Sequence, residues 1–188
     1  MTGPALPETY NLKPKKPSNP HPSHATLSPM QTIRTATRAD LPTIIRFIHE
    51  LAAYEKLSDQ VTLDPARLES ELFDEGAIAF TFIAQINDQP AGFLLGFYNF
   101  STFLGKRGLY IEDVYVAPDY RGQGLGFKLL QTVARKAITE DCGRVEWQVL
   151  DWNKPSIDLY ESLGARHKTG WLTYQLTGEA LEQLAATT

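Results

Sequence analysis

The sequence predicts an α/β protein built on a mixed, mostly antiparallel sheet flanked by helices, and three observations carry that expectation. Residues 80–86, 91–100 and 109–116 read as strands, the last with apolar residues alternating around Tyr115, and the turn pair Asn87 and Asp88 folds the first two into a hairpin. A glycine-rich stretch at 121–126 follows the third of these strands and opens a helix on which Leu125, Leu129, Leu130, Val133, Ala134 and Ala137 share one face. A further strand comes after that helix, so antiparallel hairpins meet one β-α-β crossover.

Taken in order, residues 1–30 hold seven of the twelve prolines. They show no hydrophobic period, and they read as a disordered tail. His21 and His24 lie there, in a segment unsuited to holding a metal, and Met30 stands as an alternative start directly before the ordered chain. The single domain expected over 31–188 begins with a short strand at 32–34. A helix capped near Asp40 places Ile44, Phe47, Ile48 and Leu51 on one side. Asp64 as cap and Pro65 at the first helical position start a second helix that runs to about Phe73. The three strands come next, then the glycine loop and its helix over about 124–139. A strand at 144–149, a helix at about 153–163 ended by Gly164, a strand at 171–176 and a short C-terminal helix complete the order β-α-α-β-β-β-α-β-α-β-α.

Composition narrows the functional classes. No apolar run approaches the roughly 20 residues a membrane span needs, and no apolar signal core opens the chain, so the expected setting is cytoplasmic. The formal net charge is −4, and setting aside Lys13, Lys15, Lys16 and Glu8 of the tail leaves 15 basic and 21 acidic residues. That balance argues against a nucleic-acid partner and favours the approach of a cationic small molecule. Cys142 is the only cysteine and has no partner for a disulfide; no Cys/His cluster suggests a metal site.

Chemistry concentrates where the third of these strands meets the glycine loop. Gly122, Gly124 and Gly126 let backbone N–H groups approach a ligand, and the following helix turns its positive end toward them, which suits a pyrophosphate. The dinucleotide fingerprint fails because its third glycine falls on Phe127, and no Gly-Lys-Ser/Thr follows. What stands here is Arg-x-x-Gly-x-Gly at 121–126, after a strand ending Val-x-Pro. At this motif the chain resembles the GNAT acyl-CoA N-acetyltransferases. Further segments, in sequence order, resemble that superfamily's diamine acetyltransferase branch and, within it, the thialysine N-ε-acetyltransferase group. They are residues 51–61, 110–113, 150–153 and 158–165, and the match spans about 33–184.

The resemblance implies the GNAT fold and acetyl-CoA as co-substrate, with no metal. It implies that Val114, Tyr115 and Val116 meet the pantetheine arm, and that Arg121, Gly122, Gln123, Gly124, Leu125, Gly126 and Phe127 hold the pyrophosphate. Asn153, Pro155 and Ser156 match positions that also line the cofactor, although Asn153 would equally serve as a plain helix cap. Tyr160 is implied to protonate the CoA sulfur, a task for a hydroxyl with a pKa near 10; helical spacing alone would make it a core tyrosine. Glu112 is implied to bind the amine and accept its proton, with Asp113 in support. Adjacent strand residues face opposite ways, so both reach one pocket only through a bulge. Tyr54, Glu55, Glu146, Trp147 and Gln148 match substrate positions, as does Thr169 more weakly, and a homodimer is implied.

Two departures separate branches. Ser101 stands where polyamine enzymes carry an acid, and Phe103 where a tryptophan is typical. Loss of a paired charge contact costs on the order of 1.5–3 kcal/mol, enough for a tenfold change in preference. The expected reaction is therefore direct attack of a small primary amine, thialysine or a lysine-like amino acid, on the acetyl thioester. The alternatives are diamine or polyamine acetylation and a non-catalytic acyl-CoA-binding module.

Overall fold

The computed structural model describes residues 29–187. The expected tail, with His21 and His24, therefore lies outside the described residues except for its last two positions. Five strands form one sheet in the order β1 (Gln31–Thr35), β2 (Ala79–Ile86), β3 (Gln89–Ser101), β4 (Lys106–Val116) and β5 (Val145–Trp147). Successive pairs are antiparallel except β4 with β5, which is parallel and returns through the crossover helix α3 (Leu125–Thr139). The expected mixed, mostly antiparallel sheet is thus the one observed.

The two sheet faces bury separate apolar clusters. One side takes Leu125, Leu129, Leu130 and Val133 of α3 against Leu94, Leu109 and Ile111. The other takes Ile44 and Phe47 of α1 (Leu41–Glu55) and Leu72 of α2 (Pro65–Phe73) against Ile83, Phe93, Leu95 and Tyr115. The i, i+4 spacing within α3 and the alternation of Phe93 with Leu95 turn these residues inward, as their periods require. Gly92 belongs to this packing because a Cβ there would stand 2.4 Å from the Tyr115 carbonyl oxygen.

Asp64 caps α2 as expected, accepting the Ala66 N–H at 2.9 Å. Asp40 behaves differently. Its carboxylate turns away from α1 to accept both Arg34 Nη groups at 2.7 Å and the Thr37 N–H at 2.7 Å, fastening β1 to the entry of α1. This guanidinium holds the Asp40 carboxyl well below the usual carboxylate range.

The C-terminal region corrects the sequence reading. The strand expected at 144–149 is limited to Val145–Trp147, and residues 171–176 form no strand. Alternation supplies a strand with an apolar face, but a strand persists only against a hydrogen-bonding neighbour. The ladder of β5 stops at Trp147, and Trp171, Leu172 and Tyr174 remain exposed. Helix α4 (Lys154–Ser162) ends at a Gly164 of φ +83°, as its sequence predicts, and α5 (Gly178–Ala186) closes the described chain.

Candidate active site

The site opens where two strands part. β4 pairs with β5 only through Leu109, Ile111 and the residue between them, so its remaining length to Val116 has no strand neighbour on that side. Between this bare edge and α4 lies a cavity of about 520 Å³, lined by β4, the glycine loop, the end of α1, Trp147, Gln148 and α4.

A β-bulge shapes its acidic wall. Leu95 faces Asp113 and Gly96 faces Ile111, which leaves Glu112 as the extra residue. Ile111 and Val114 then pack toward α3, while Tyr115 packs toward α1. Both Glu112 and Asp113 line the cavity, along with the β4 residues around them from Ile111 to Val116. Burial, followed by the charges of Glu112 and Glu55, pushes the Asp113 carboxyl up to about 7. Glu55, the last residue of α1, is also raised by burial.

The glycine loop forms the opposite end. Gly122 and Gly124 have φ of +72° and +82°, the left-handed region glycine enters without Cβ strain. Gly124 caps α3 without a side chain, and the first helical bond is Lys128 N–H to the Gly124 carbonyl. The N–H groups of Leu125, Gly126 and Phe127 therefore precede the helix ladder at its positive end. Arg121 lines the cavity beside them, donating Nε–H to the Val116 carbonyl at 2.9 Å while its guanidinium lies 4.8 Å from the centroid of the Tyr54 ring. Such a cradle fits a diphosphate.

Helix α4 supplies the third wall. Tyr160 is buried and meets Trp147 edge to face, with centroids 5.1 Å apart. Burial raises its pKa, a Ser156 hydrogen bond opposes that, and the Glu55 charge raises it further. Asn153 does not cap α4 with its side chain; its buried Oδ1 accepts the Tyr54 hydroxyl at 3.2 Å, tying α1 to α4 across the cavity. Pro155 and Ser156 also line the space.

The fold thus gathers Tyr54, Glu55, Glu112, Asp113, Val114, Tyr115, Val116, Trp147, Gln148 and Tyr160 around one cavity. Gln123, Glu146 and Thr169 do not line it. The Gln123 carbonyl accepts from Gln31 at 3.0 Å, and Glu146 accepts from Asn99 and pairs with the charges of Arg144 and Lys168 instead. Sequence reasoning missed Leu51, Leu130 and Leu159, which supply apolar wall; their only signal was membership of the inward helix faces. Among the described residues, no three His, Cys, Asp or Glu side chains are grouped to hold a metal ion.

Residues 45–165 match the acetyltransferase (GNAT) family profile. The chain is 42% identical over 164 residues to a thialysine N-ε-acetyltransferase of Sus scrofa, covering 81% of this chain and 96% of that one. It is 32% identical over 197 aligned positions to an L-ornithine N5-acetyltransferase of Arabidopsis thaliana, covering 81% and 86%. Among solved structures, an integron cassette protein of V. cholerae superposes with a TM-score of 0.69 at 25% identity, covering 84% of this chain and 98% of that one. With its splayed β4 and β5, its glycine loop and these relatives, the chain belongs to the acetyltransferase (GNAT) family and is an acetyltransferase.

Proposed function

We propose that residues 31–188 act as one catalytic unit that transfers an acetyl group from acetyl-CoA to the primary amine of a small aminoalkyl acceptor, thialysine or a lysine-like amino acid. The observation that carries this reading is that Glu112 and Asp113, at the bulge of β4, line the same cavity as Tyr160.

Bound acetyl-CoA supplies an activated thioester. The free amides of Leu125, Gly126 and Phe127, with Arg121, Gly122 and Gly124, hold its diphosphate. The unpaired side of β4 offers the backbone groups of Val114 and the Val116 N–H to the pantetheine amides, with Tyr115 between them, and Asn153, Pro155 and Ser156 close over it. Glu55, Glu112 and Tyr54, with Trp147 and Gln148, receive the cationic acceptor. Glu112 and Asp113 take the amine's proton, directly or through water, so that a neutral nitrogen attacks the thioester directly. As the C–N bond forms and the C–S bond breaks, the Tyr160 hydroxyl donates its proton to the departing sulfur, and the proton that the acylated nitrogen then loses restores the tyrosine.

The relatives that act on thialysine and ornithine support an amino-acid acceptor. Ser101 supports it too, since this buried hydroxyl accepts the Leu104 N–H at 3.3 Å and supplies no negative charge to a polyamine. Polyamine acetylation is the second reading, favoured by the same acids that attract any ammonium. We further propose a cytoplasmic homodimer, supported by the exposed apolar side chains of Leu172, Tyr174, Leu181 and Leu184. No helix among the described residues is long and apolar enough to cross a membrane.

Release of free CoA thiol from acetyl-CoA over thialysine, lysine, ornithine, putrescine, spermidine and a lysine peptide tests the activity. Preference for thialysine or another short amino acid is expected. Polyamine preference would install the second reading, and silence across the panel would leave an acyl-CoA-binding module without catalysis. Sedimentation at micromolar concentration tests the dimer, and a monomer there would overturn it.

A further inference from the structure

Beyond the acetyl-transfer cavity lies a second one of about 440 Å³, lined in part by Phe100, Phe103, Trp171, Arg144 and Lys168. Its charge is the reverse of the first. Arg144 Nε meets Glu146 Oε2 at 2.6 Å and Lys168 Nζ reaches Oε1 at 3.4 Å, so two cations share one carboxylate and a net positive charge remains. Asn99 also donates to Glu146 at 2.9 Å, holding the carboxylate in place. Gly108 permits this assembly: a Cβ there would stand 2.4 Å from Asn99 Oδ1 and 3.0 Å from Arg144 Cγ.

The β4–β5 ladder runs from one cavity toward the other, for Ile111 and Trp147 of its last pair line the first and Arg144, just before its first pair, lines the second. Glu146 stands opposite Tyr110, two and three residues along β4 from Glu112 and Asp113. At strand rise that is about 7–10 Å. The Tyr110 phenol registers both ends, for its pKa is raised by burial and then by Glu112 and Glu146 together. Its ring packs on Phe97 with centroids 5.1 Å apart, an aromatic surface between the acidic and the basic groups. A molecule matching this sequence of charges carries an ammonium at one end, an alkyl stem, and at the other end an ammonium beside a carboxylate. In an extended lysine-like chain the side-chain nitrogen and the α-nitrogen are about 7 Å apart, which agrees with the spacing between Glu112 and Glu146 along the ladder.

We propose that Arg144 and Lys168 are specificity-determining residues that bind the α-carboxylate of the acceptor, with Glu146 taking its α-ammonium, so that the enzyme selects α-amino acids bearing a side-chain amine over diamines of the same length. This rests on the acetyl-transfer reading and deepens it. It also gives Glu146 a place on the acceptor's path although it lies outside the first cavity. Arg144 offers the forked geometry that suits a carboxylate, and Lys168, held near the Trp171 ring at 5.7 Å, supplies a second point charge.

The test compares each amino acid with its decarboxylated counterpart: L-lysine with cadaverine, and thialysine with the diamine lacking its carboxylate. The full chain is assayed as wild type, Lys168→Gln, Lys168→Glu and Arg144→Gln. CoA release gives kcat/KM, and isothermal titration gives acceptor affinity independently of turnover. The expected result is a wild-type preference for the amino acid of about tenfold or more in both measurements. That ratio should fall about tenfold in Lys168→Gln and Arg144→Gln, and further in Lys168→Glu. Exposed Lys168 guards against a misfolded Arg144 variant giving the only answer. An amino acid-to-diamine ratio that stays the same in the Lys168 variants overturns the assignment, even with acetyl transfer intact. Carboxylate-dependent binding without CoA release would uphold it while removing the catalytic reading.

Discussion

The ring of Tyr160 stands edge to face on the indole of Trp147, centroids 5.1 Å apart, and joins α4 to the last residue of β5 where the strands separate. The contact fixes the tyrosine at the mouth of the splay. Burial raises its pKa, so the hydroxyl keeps its proton at neutral pH and is available as a donor.

Replacing Tyr160 by Phe preserves the ring contact and removes the donor. The expected outcome is a fall in kcat of about 10²-fold with little change in the KM for acetyl-CoA, measured by CoA release. Unaltered kcat would remove Tyr160 from proton transfer.

Asp113 gives a pH signature. Its folded value of about 7 exceeds the ordinary 3.8, chiefly through burial. Between those values the folded chain holds a proton that the unfolded chain has released, so this group lowers stability as pH rises through the window and its full cost applies above about 7. Asp113→Asn should therefore raise Tm relative to wild type more at pH 8 than at pH 4. The same variant should lose a rise in kcat/KM through pH about 7. Equal Tm differences at both pH values would contradict the assignment of this group.

Arg121 stands beside the helix amides with its guanidinium near the Tyr54 ring. Arg121→Ala should raise the KM for acetyl-CoA about tenfold, the scale of one lost charge-assisted hydrogen bond, with a smaller effect on kcat. The loss should narrow at high salt, where the wild-type advantage is screened. Wild-type KM in the variant would place the diphosphate elsewhere.

Asp40 is a structural test remote from the chemistry. Its paired bonds to Arg34 and its bond to Thr37 predict that Asp40→Ala lowers unfolding free energy by about 2 kcal/mol in urea at pH 7. The Asp40 carboxyl lies below its ordinary 3.8 in the fold, so its contribution is complete above that value and is lost as pH falls below it. The variant and wild type should converge in stability toward strongly acid pH, and a gap that stays constant would assign the effect to packing.

Much of this was legible in one dimension because the governing interactions are local. The alternation of Phe93 with Leu95, the helical spacing of Leu125, Leu129 and Val133, and the glycines at 122 and 124 each answer to backbone geometry within a few residues. The strand proposed at 171–176 failed for the complementary reason. Its own alternation was adequate, but a ladder needs a neighbour, and β5 ends before it can provide one.

By itself, then, the sequence determined the elements up to α4, the glycine loop that opens α3 and the presence of acids on β4, because period, glycine and charge act at short range. Only the tertiary structure decided that Glu112 and Asp113 share a cavity with Tyr160, and that β4 bulges there opposite Leu95 and Gly96. It also turned Asn153 from a helix cap into the acceptor for Tyr54, a residue 99 positions away. It set Glu146 between Arg144 and Lys168 rather than beside Tyr160. Such pairings depend on which strand edges meet and where they part, and no local pattern encodes that.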